Sequence, residues 1–537
     1  METLADFIEE TARRFGPRPA LLHKPDKTTQ VWTYSDLLSR ANRVALWLRE
    51  QGVEKGDRVI LWAPNSPSWV AAYLGILRMG AMAVPLDVRS GPDFARRIIA
   101  QTEPKVALVS KATMGDLKKA SQQTPSQIVE ELDALPEAST DAKENTLRPD
   151  DIAALMFTSG TTGEPKGVIL THANILANVE SVDQVVPEIG EFKVVSLLPL
   201  SHSFEQVVGL LLALRRGTSV YYISSLMPAT IFDALKEHGA TAMLLVPGAL
   251  QLFMSSIERE VAKQGKAKQW ARLQTIARYL PTSLRRRLFR QVHDRLGGKL
   301  EFLVSGGAPI APQLVEKWER LGMPVLQGYG ATEAGPVIAV TNLRNRNPVT
   351  VGTAIPGMQI KVAPDGEVLI KGPSVTSGYW RNPKATEEAF EDGWYKTGDL
   401  GYFDKRGHLV LHGRKKDLIV LANGQNVYPE DVERVLKAVP GVDDAVVVGL
   451  PDEQGATVHG VLLLDKSGGN PEAIIKQANS HLAPHQYVKG YTVWPEEDFP
   501  RTHTLKVKKH EVIKEIQKLQ EEQQKQRPTS PVGASSG

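Results

Sequence analysis

Residues 158–166 combine four hydroxyl side chains, two glycines and a lysine. They read Thr-Ser-Gly-Thr-Thr-Gly-Glu-Pro-Lys between the apolar stretches AALMF and GVIL. Glycines let backbone N–H groups approach an anion closely, hydroxyls donate to phosphate oxygens, and a lysine supplies positive charge. A flexible linker is disfavoured because apolar, strand-like segments flank both sides. The pattern predicts a phosphate-binding loop formed by Thr158, Ser159, Gly160, Thr161, Thr162, Gly163 and Lys166.

Several other classes of phosphate or acyl chemistry are excluded by what this chain lacks. The Walker order GxxxxGK[ST] is missing, and a strand-like run follows the loop where a P-loop requires a helix. Ser305 in VSGGAP does not fit the GxSxG elbow of a serine hydrolase, which disfavours that class. The 537 residues contain no cysteine, which excludes a thiolate nucleophile and a cysteine-ligated metal. His481 and His485 are separated by Pro484, so we expect no metal site there.

Six further segments carry glycine, acidic, basic or aromatic residues in motif-like groupings. They are LPLSHSFE (198–205), SGGAP (305–309), QGYGATEAG (327–335), YKTGDLG (395–401), GRKKDLIVLANGQNVYPEDVE (413–433) and PRTHTLKV (500–507). Together with TSGTTGEPKG, they resemble in order the motifs of the adenylate-forming superfamily. That superfamily comprises acyl-CoA synthetases, peptide-synthetase adenylation domains and firefly luciferase. The form LPLSHxxE, which ends at Glu205, most resembles long-chain fatty acid–CoA ligases.

The resemblance implies a reaction in two halves. A long-chain fatty acid would attack ATP to give an acyl-adenylate and pyrophosphate, and coenzyme A would then displace AMP to give acyl-CoA. Mg²⁺ would accompany ATP, and coenzyme A would be a co-substrate. Two alternatives stay open: an acyl-AMP ligase that loads a carrier protein, and a pseudoenzyme that binds nucleotide or acyl ligands. The joint presence of Lys166, Glu333 and Lys506 argues against the pseudoenzyme.

The resemblance also assigns roles in the first half-reaction. Lys506 matches the adenylation lysine, Glu333 the magnesium ligand, and Thr332 a hydroxyl that contacts phosphate. A lysine is a point charge on a flexible stem, so it suits a bridge between two anions in the transition state. Leu505 stands where the family usually has glycine, which leaves Lys508 as the rival to Lys506.

Further residues match the nucleotide, acid and thiol sites of the family. Adenine and ribose would be bound by Gly307, Ala308, Pro309, Tyr329, Asp399 and Arg414. A carboxylate such as Asp399 can accept hydrogen bonds from both hydroxyls of a ribose. The acyl pocket would include His202 and Gly306, the interdomain hinge would lie at Lys416, and Gly424 would leave room for the pantetheine arm of coenzyme A.

The elements that must position these residues alternate between strands and helices. Short β-branched apolar runs separated by stretches of helical spacing predict α/β layers with largely parallel sheets. Closely spaced strands follow from about residue 350, with a hairpin turn at Asp365-Gly366. We therefore expect a large N-terminal domain of layered sheets and helices plus a β-rich subdomain, and a small mobile α+β C-terminal domain. The predicted boundaries are 1–413 for the large domain, 414–416 for the hinge, 417–522 for the small domain and 523–537 for a disordered tail.

Charge and hydropathy bear on where the protein works. The chain has a net charge of +3 and 42% hydrophobic residues, which favour a globular protein. It shows no signal peptide and no long apolar span, which favours a cytoplasmic enzyme. A homodimer is compatible with these properties. The polar stretch 116–149 predicts a mobile connection.

Residues 263–299 hold eleven Lys or Arg and one Asp. One interpretation is an amphipathic helix pair with a solvated basic face. The other is a peripheral contact with anionic lipid at the inner membrane face. No recognition motif supports nucleic-acid binding.

Overall fold

The computed structural model describes residues 1–26, 28–129, 131, 146–159, 164–186, 191–423, 425–452, 455–465, 468–501 and 507–525. Six of the residues assigned above lie outside this part of the chain: Gly160, Thr161, Thr162, Gly163, Gly424 and Lys506. The roles assigned to them stay predictions. Most of the predicted tail also lies outside the described residues, which end at Lys525.

The described strands are short and recur along the whole chain. They are β1 (Pro19–His23), β2 (Gln30–Thr33), β3 (Arg58–Trp62), β4 (Met82–Pro85), β5 (Val106–Val109), β6 (Ser126–Ile128), β7 (Ile152–Ser159), β8 (Pro165–Thr171), β9 (Val194–Ser196), β10 (Val220–Tyr222), β11 (Ala242–Leu245), β12 (Phe302–Ser305), β13 (Val325–Gly330), β14 (Val337–Val340), β15 (Thr353–Ala354), β16 (Gln359–Val362), β17 (Glu367–Lys371), β18 (Phe390–Glu391), β19 (Trp394–Phe403), β20 (Leu409–Arg414), β21 (Ile419–Val420), β22 (Asn426–Val427), β23 (Val442–Asp452), β24 (Gly455–Leu464) and β25 (Gly490–Val493).

Helices separate most of these strands. The α-helices are α1 (Leu4–Phe15), α2 (Tyr34–Glu50), α3 (Pro67–Met79), α4 (Pro92–Thr102), α5 (Met114–Ala120), α6 (His172–Val185), α7 (Leu212–Arg215), α8 (Pro228–His238), α9 (Pro247–Lys263), α10 (Ala267–Ala277), α11 (Thr282–Leu288), α12 (Arg290–Arg295), α13 (Pro312–Arg320), α14 (Pro383–Ala389), α15 (Pro429–Lys437), α16 (Pro471–Asn479) and α17 (Lys509–Lys525). A π-helix spans Glu205–Leu211, and short 3₁₀ helices span Thr332–Ala334, Lys415–Asp417 and Pro484–Gln486.

Two large sheets form the body of the first part of the chain. Within the described residues, one has six strands in the order β6-β5-β3-β4-β7-β8 and the other has nine in the order β15-β14-β13-β12-β11-β9-β10-β1-β2. The strands β13, β12, β11, β9, β10 and β1 run parallel. Their carboxyl ends therefore meet at one edge of the sheet, where α/β proteins bind ligands. The predicted α/β fold class is confirmed.

The later strands build smaller antiparallel sheets. β16 and β17 form the hairpin predicted at Asp365-Gly366, and Gly366 has the positive φ of 87° that the turn needs. Residues 1–397 and 402–410 form one compact unit, and residues 398–401 with 411 onward form another. The second unit contains the three-stranded sheet β23-β24-β25 and the helices α15–α17.

The prediction of a mobile connection at 116–149 is wrong over part of its length. Residues 116–120 belong to α5, whose Leu117 is buried in the core beside the six-stranded sheet. Residues 126–128 form β6, which pairs in parallel with β5 at the edge of that sheet. The sequence signal is weak because an edge strand of three residues is too short to show an alternating pattern. Residues 130 and 132–145 lie outside the described part.

Candidate active site

The carboxyl edge of the nine-stranded sheet brings three of the predicted motifs together. SGGAP follows β12, and QGYGATEAG begins within β13. These two strands are parallel, with Ser305 paired to Gln327. Gly306 and Gly328 are so close that a Cβ added at Gly306 would lie 3.2 Å from the Gly328 carbonyl oxygen. Glycine at 306 thus lets the two motif backbones pack at this edge.

The LPLSHSFE segment reaches the same place from β9. The same Cβ at Gly306 would lie 3.4 Å from Cζ of Phe204, so the aromatic ring covers the glycine. His202 lies two residues before Phe204 and is about one-third exposed, with 38% of its side chain accessible. The structure therefore brings together the loop that carries His202 and the glycine motif, the two segments assigned to the acyl pocket.

His202 has a carboxylate neighbour that the sequence analysis missed. Its Nε2 lies 3.5 Å from Oδ2 of Asp87, a buried residue that follows β4. Burial alone would raise the pKa of the Asp87 carboxyl, but the neighbouring His202 and Arg89 side chains hold it well below its usual range. Asp87 is therefore a fixed negative charge that can orient the imidazole ring. No motif surrounds Asp87, so only the tertiary contact reveals it.

The residues assigned to adenine lie at adjacent strand ends. Tyr329 belongs to β13 and is 8% exposed, while Gly307 follows β12 and is exposed. Gly307 has a φ of +81°, a conformation that L side chains rarely adopt. Ala308 is partly exposed and Pro309 exposed. This arrangement offers an aromatic ring and an open backbone turn on neighbouring strands, as a site for a planar base requires.

Polar contacts connect the β7–β8 hairpin, which carries the predicted phosphate loop, to the predicted magnesium ligand. β7 and β8 form an antiparallel hairpin in which Thr158 pairs with Lys166. The Lys166 Nζ lies 5.3 Å from the ring centre of Tyr379, a cation–π distance. The Tyr379 hydroxyl donates to Glu333 Oε1 at 3.0 Å. The structure therefore brings both groups to one tyrosine, with the Lys166 ammonium over its ring and the Glu333 carboxylate at its hydroxyl.

Tyr379 and Tyr395 are site residues that the sequence analysis missed. Their hydroxyl oxygens are 3.1 Å apart, and burial together with the negative charge of Glu333 raises the pKa of Tyr395. The Tyr395 phenol is thus a neutral hydrogen-bonding group beside Tyr379 and Glu333. Thr376 fixes the same residue from its backbone, since its N–H donates to the Glu333 carbonyl at 2.8 Å. Tyr395 lies in the YKTGDLG motif, whereas Tyr379 carried no signal beyond its glycine neighbour.

The donor set around Glu333 fits a magnesium ion carried by a nucleotide. Within the described residues there is no group of three or more His, Cys, Asp or Glu side chains that could hold a metal ion. Mg²⁺ is commonly bound through one or two carboxylates, with phosphate oxygens and water completing the octahedron. Half-buried Glu333, followed by Ala334 and preceded by the hydroxyl of Thr332, suits that mode of binding.

The two residues predicted to bind ribose, Asp399 and Arg414, form an ion pair within the second unit. Arg414 Nε lies 2.7 Å from Asp399 Oδ1, and the Asp399 side chain is 12% exposed. The guanidinium thus fixes the orientation of the carboxylate through a charge-assisted contact. Lys416, the predicted hinge residue, is exposed in the 3₁₀ helix Lys415–Asp417.

The two lysines that follow Lys506 are both engaged in ion pairs. Lys508 Nζ lies 3.0 Å from Glu511 Oε1, and Lys509 Nζ lies 2.7 Å from Glu433 Oε1. Burial would lower the pKa of Lys509, yet the adjacent Glu433 raises it above its usual value. Lys509 is therefore a structural cation of the second unit. Lys506 lies outside the described residues, so its assignment as the adenylation lysine stays a prediction.

Comparisons with known proteins agree with this geometry. The model of the AMP-binding enzyme family matches residues 8–380, and that of the AMP-binding enzyme C-terminal domain matches residues 431–506. The long-chain-fatty-acid–CoA ligase FadD15 of Mycobacterium tuberculosis is 33% identical over 78% of this chain and 76% of its own length. The long-chain-fatty-acid–CoA ligase of Bacillus subtilis is 27% identical over 96% of this chain and 94% of its own length.

A solved structure extends the similarity to the fold. ATP-bound MatB from Rhodopseudomonas palustris superimposes with a TM-score of 0.81 at 25% identity, covering 96% of this chain and 99% of MatB. The matched family models cover both the large sheets and most of the second unit. The chain belongs to the AMP-binding enzyme family, in which it is an adenylate-forming acyl-CoA ligase.

Proposed function

We propose that this ligase activates long-chain fatty acids. A carboxylate oxygen of the acid attacks the α-phosphorus of ATP, which forms the acyl-adenylate and releases pyrophosphate. The thiol sulfur of coenzyme A then attacks the acyl carbon, and the C–O bond to AMP breaks. The products are acyl-CoA, AMP and pyrophosphate. The observation that carries the proposal is the convergence of LPLSHSFE with SGGAP and QGYGATEAG at one sheet edge.

The first step brings an anion to a polyanion, so charge neutralisation and positioning dominate its catalysis. Lys166 would contact the phosphates from the β7–β8 hairpin, and Lys506 would bridge the carboxylate and the α-phosphate. Glu333 would hold the Mg²⁺ of the nucleotide, which lowers the charge repulsion around the phosphates when bound, and the Thr332 hydroxyl would contact a phosphate oxygen. Gly306 and the His202 loop would receive the carboxyl end of the acid.

Two features support a long acyl chain as the substrate. Both relatives named above carry the designation long-chain-fatty-acid–CoA ligase. The π-helix Glu205–Leu211 and α7, which follow the His202 loop, bury an unbroken apolar run that includes Val207, Leu210 and Leu214.

The alternative acceptor is a pantetheine on a carrier protein. Thioester formation that requires free coenzyme A would support the proposed CoA ligase. Thioester formation only on a carrier protein would instead identify an acyl-AMP ligase that loads a carrier.

We expect catalytic efficiency to rise with the length of the acyl chain. Each buried methylene contributes up to ~0.8 kcal/mol, which corresponds to about a fourfold gain in kcat/KM until the pocket is full. The measurement is pyrophosphate release with saturated acids from acetate to stearate, at saturating ATP and coenzyme A. Highest efficiency with acetate or an aryl acid would contradict the assignment.

We further propose that the basic helices α10 and α11 contact an anionic lipid surface. Trp270, Leu273 and Val292 pack on the hydrophobic core, as the amphipathic interpretation predicts. Other apolar side chains of the same region are exposed: Ile276 by 54%, Tyr279 by 80%, Leu284 by 48% and Leu288 by 38%. Exposed apolar groups beside cations are typical of interfacial helices. Among the described residues, no helix is both long and apolar enough to cross a membrane.

Not every arginine of this region is available to lipid. The Arg285 guanidinium donates to the carbonyls of Leu280 at 2.6 Å and Glu319 at 3.0 Å, and Arg286 donates to the Leu300 carbonyl at 2.7 Å. These two side chains hold the helices against the rest of the unit. The cations suited to a lipid contact are the exposed ones, which include Arg272, Arg278 and Arg287.

Changing Arg272, Arg278 and Arg287 together to glutamine is therefore expected to abolish binding to phosphatidylserine vesicles. Each basic residue near such a surface contributes about 1 kcal/mol, so three losses correspond to roughly a hundredfold weaker binding. Co-sedimentation at low salt measures this, and binding of the unchanged protein should fall as salt rises.

The matched control changes three exposed lysines elsewhere, Lys118, Lys384 and Lys405, to glutamine. It removes the same net charge, so it separates a local contact from a general charge effect. Equal loss of binding in both triple variants, or no binding of the unchanged protein at low salt, would contradict the lipid contact. The interpretation of residues 263–299 as a helix pair with a solvated basic face would then hold.

A further inference from the structure

Glu205 is a buried carboxyl group with no assigned role. It begins the π-helix Glu205–Leu211 and is 1% exposed. Its Oε1 accepts a hydrogen bond from Ser196 Oγ at 2.6 Å, while its Oε2 has no hydrogen-bond partner among the described residues. Burial raises the pKa of Glu205 to about 8, so the group is mostly neutral at pH 7. A neutral carboxyl group can accept from Ser196 without the cost of a buried charge.

The hydrogen bond to Ser196 continues to a second side chain. Ser196 Oγ also accepts from Nδ2 of Asn65 at 3.0 Å. Asn65 in turn binds the loop after β9 at two backbone positions: Nδ2 donates to the Leu198 carbonyl at 2.6 Å, and Oδ1 accepts from the Leu200 N–H at 2.8 Å. Glu205, Ser196 and Asn65 therefore form a chain of hydrogen bonds, called the relay below. Asn65, at the end of the relay, binds the backbone of residues 198–200.

That loop carries His202. The His202 N–H donates to the Pro199 carbonyl at 3.0 Å, and the Gln206 side chain donates to the Leu200 carbonyl at 2.7 Å. The Asn65 amide binds the loop at both Leu198 and Leu200, so its orientation contributes to fixing where the loop backbone lies. The relay thus fixes the imidazole from the backbone side, while Asp87 lies on the ring side at 3.5 Å.

The helix around Glu205 is shaped to admit this side chain. A Cβ added at Gly209 would lie 2.7 Å from Cδ of Glu205, so any larger residue there would displace the carboxyl group. A π-helix is wider than an α-helix and is uncommon outside functional sites. The Tyr222 hydroxyl is also buried without a partner among the described residues, and Tyr222 pairs with Ser196 in the sheet, so both side chains share the face that meets Glu205.

We propose that Glu205 is a positioning residue for the acid substrate, which acts through Ser196 and Asn65 to fix the loop that carries His202. This inference rests on the proposed function, because it takes the His202 loop as the binding site for the carboxyl end of the acid. Glu205 itself is buried beneath the loop and touches no reactant.

The decisive measurement compares Glu205→Ala with Glu205→Gln. Alanine removes the acceptor for Ser196, so KM for the fatty acid should rise tenfold or more while KM for ATP changes less than twofold. Glutamine keeps an acceptor and is neutral, so KM for the acid should stay within about threefold of the unchanged enzyme. An acid KM unaffected by Glu205→Ala, or equal increases in both KM values, would overturn the proposal.

A double-substitution cycle tests the relay itself. Ser196→Ala breaks the link without altering Glu205, and it should raise KM for the acid by a similar factor. If the two residues act in series, Glu205→Ala combined with Ser196→Ala should be no worse than either alone. Multiplying effects would show that the residues act independently and would overturn the relay. If Glu205→Ala does not fold, Gly209→Ala, which would displace the carboxyl group, and Ser196→Ala decide the question.

Two further variants separate the inference from the function on which it rests. Gly209→Ala should displace the carboxyl group and reproduce the selective rise in acid KM; an unchanged acid KM there would contradict the role of Glu205. His202→Ala tests the loop directly. If His202→Ala leaves the acid KM unchanged while Glu205→Ala raises it, the assignment of the acyl site fails rather than the relay.

Discussion

Replacing Lys506 with alanine is expected to lower the rate of pyrophosphate release by roughly 10²–10³-fold or more. The reason is that a single charge aimed at the transition state is worth that much in other enzymes that stabilise developing charge. KM for ATP should change far less, because the contacts predicted between the triphosphate and Lys166 do not involve Lys506. The measurement is a coupled pyrophosphate assay with a saturated long-chain acid.

The same variant should form thioester at a rate near that of the unchanged enzyme when it is given pre-made acyl-adenylate and coenzyme A. Lys508→Ala is the matched control, because Lys508 is paired with Glu511 and should lose little activity. Severe loss in Lys508→Ala with a mild effect in Lys506→Ala would show that Leu505 marks a shifted register. Equal damage to both half-reactions in Lys506→Ala would argue against a lysine that serves only adenylation.

A variant with the opposite profile completes this test. Gly424 is assigned to the channel for the pantetheine arm, so Gly424→Leu should release pyrophosphate normally and form thioester slowly. The two variants together would separate the half-reactions by residue. Normal thioester formation in Gly424→Leu would remove Gly424 from the channel and leave the role of Lys506 intact.

Replacing Glu333 with glutamine is expected to lower pyrophosphate release by roughly 10²-fold at ordinary Mg²⁺ concentration. Glutamine keeps the shape of the side chain and its hydrogen bond from Tyr379, but it loses the negative charge that a hard divalent cation prefers. The Mg²⁺ concentration for half-maximal rate should therefore rise at least tenfold. A titration of the rate with Mg²⁺ at fixed ATP measures this shift.

Tyr379→Phe is the matched control for Glu333. It removes the hydroxyl that donates to Glu333 at 3.0 Å and keeps the ring beneath Lys166. Its effect on the Mg²⁺ requirement should be smaller, within about threefold, because a neutral hydrogen bond contributes only about 1 kcal/mol. An unchanged Mg²⁺ requirement in Glu333→Gln would show that the carboxylate binds no metal.

The phosphate hairpin shows how far local patterns predict this protein. The strands on both sides of residues 160–163 were expected from their apolar residues alone, and they form β7 and β8. The hairpin at Asp365-Gly366 was equally clear, because the turn needs a residue that tolerates positive φ. In contrast, α5 and β6 were missed, since their burial depends on neighbours that are distant in the chain.

The amino-acid sequence by itself indicated the α/β fold class, because that depends on residue types at short, regular spacing. It indicated the family through the resemblance of its motifs, taken in order, to those of adenylate-forming enzymes. Only the tertiary structure decided that Tyr379 contacts both Lys166 and Glu333, that Asp87 lies beside His202, and that Glu205 reaches the His202 loop through Ser196 and Asn65. The physical reason is that most of these contacts join residues far apart in the chain, and a contact between such side chains leaves no pattern in the local sequence.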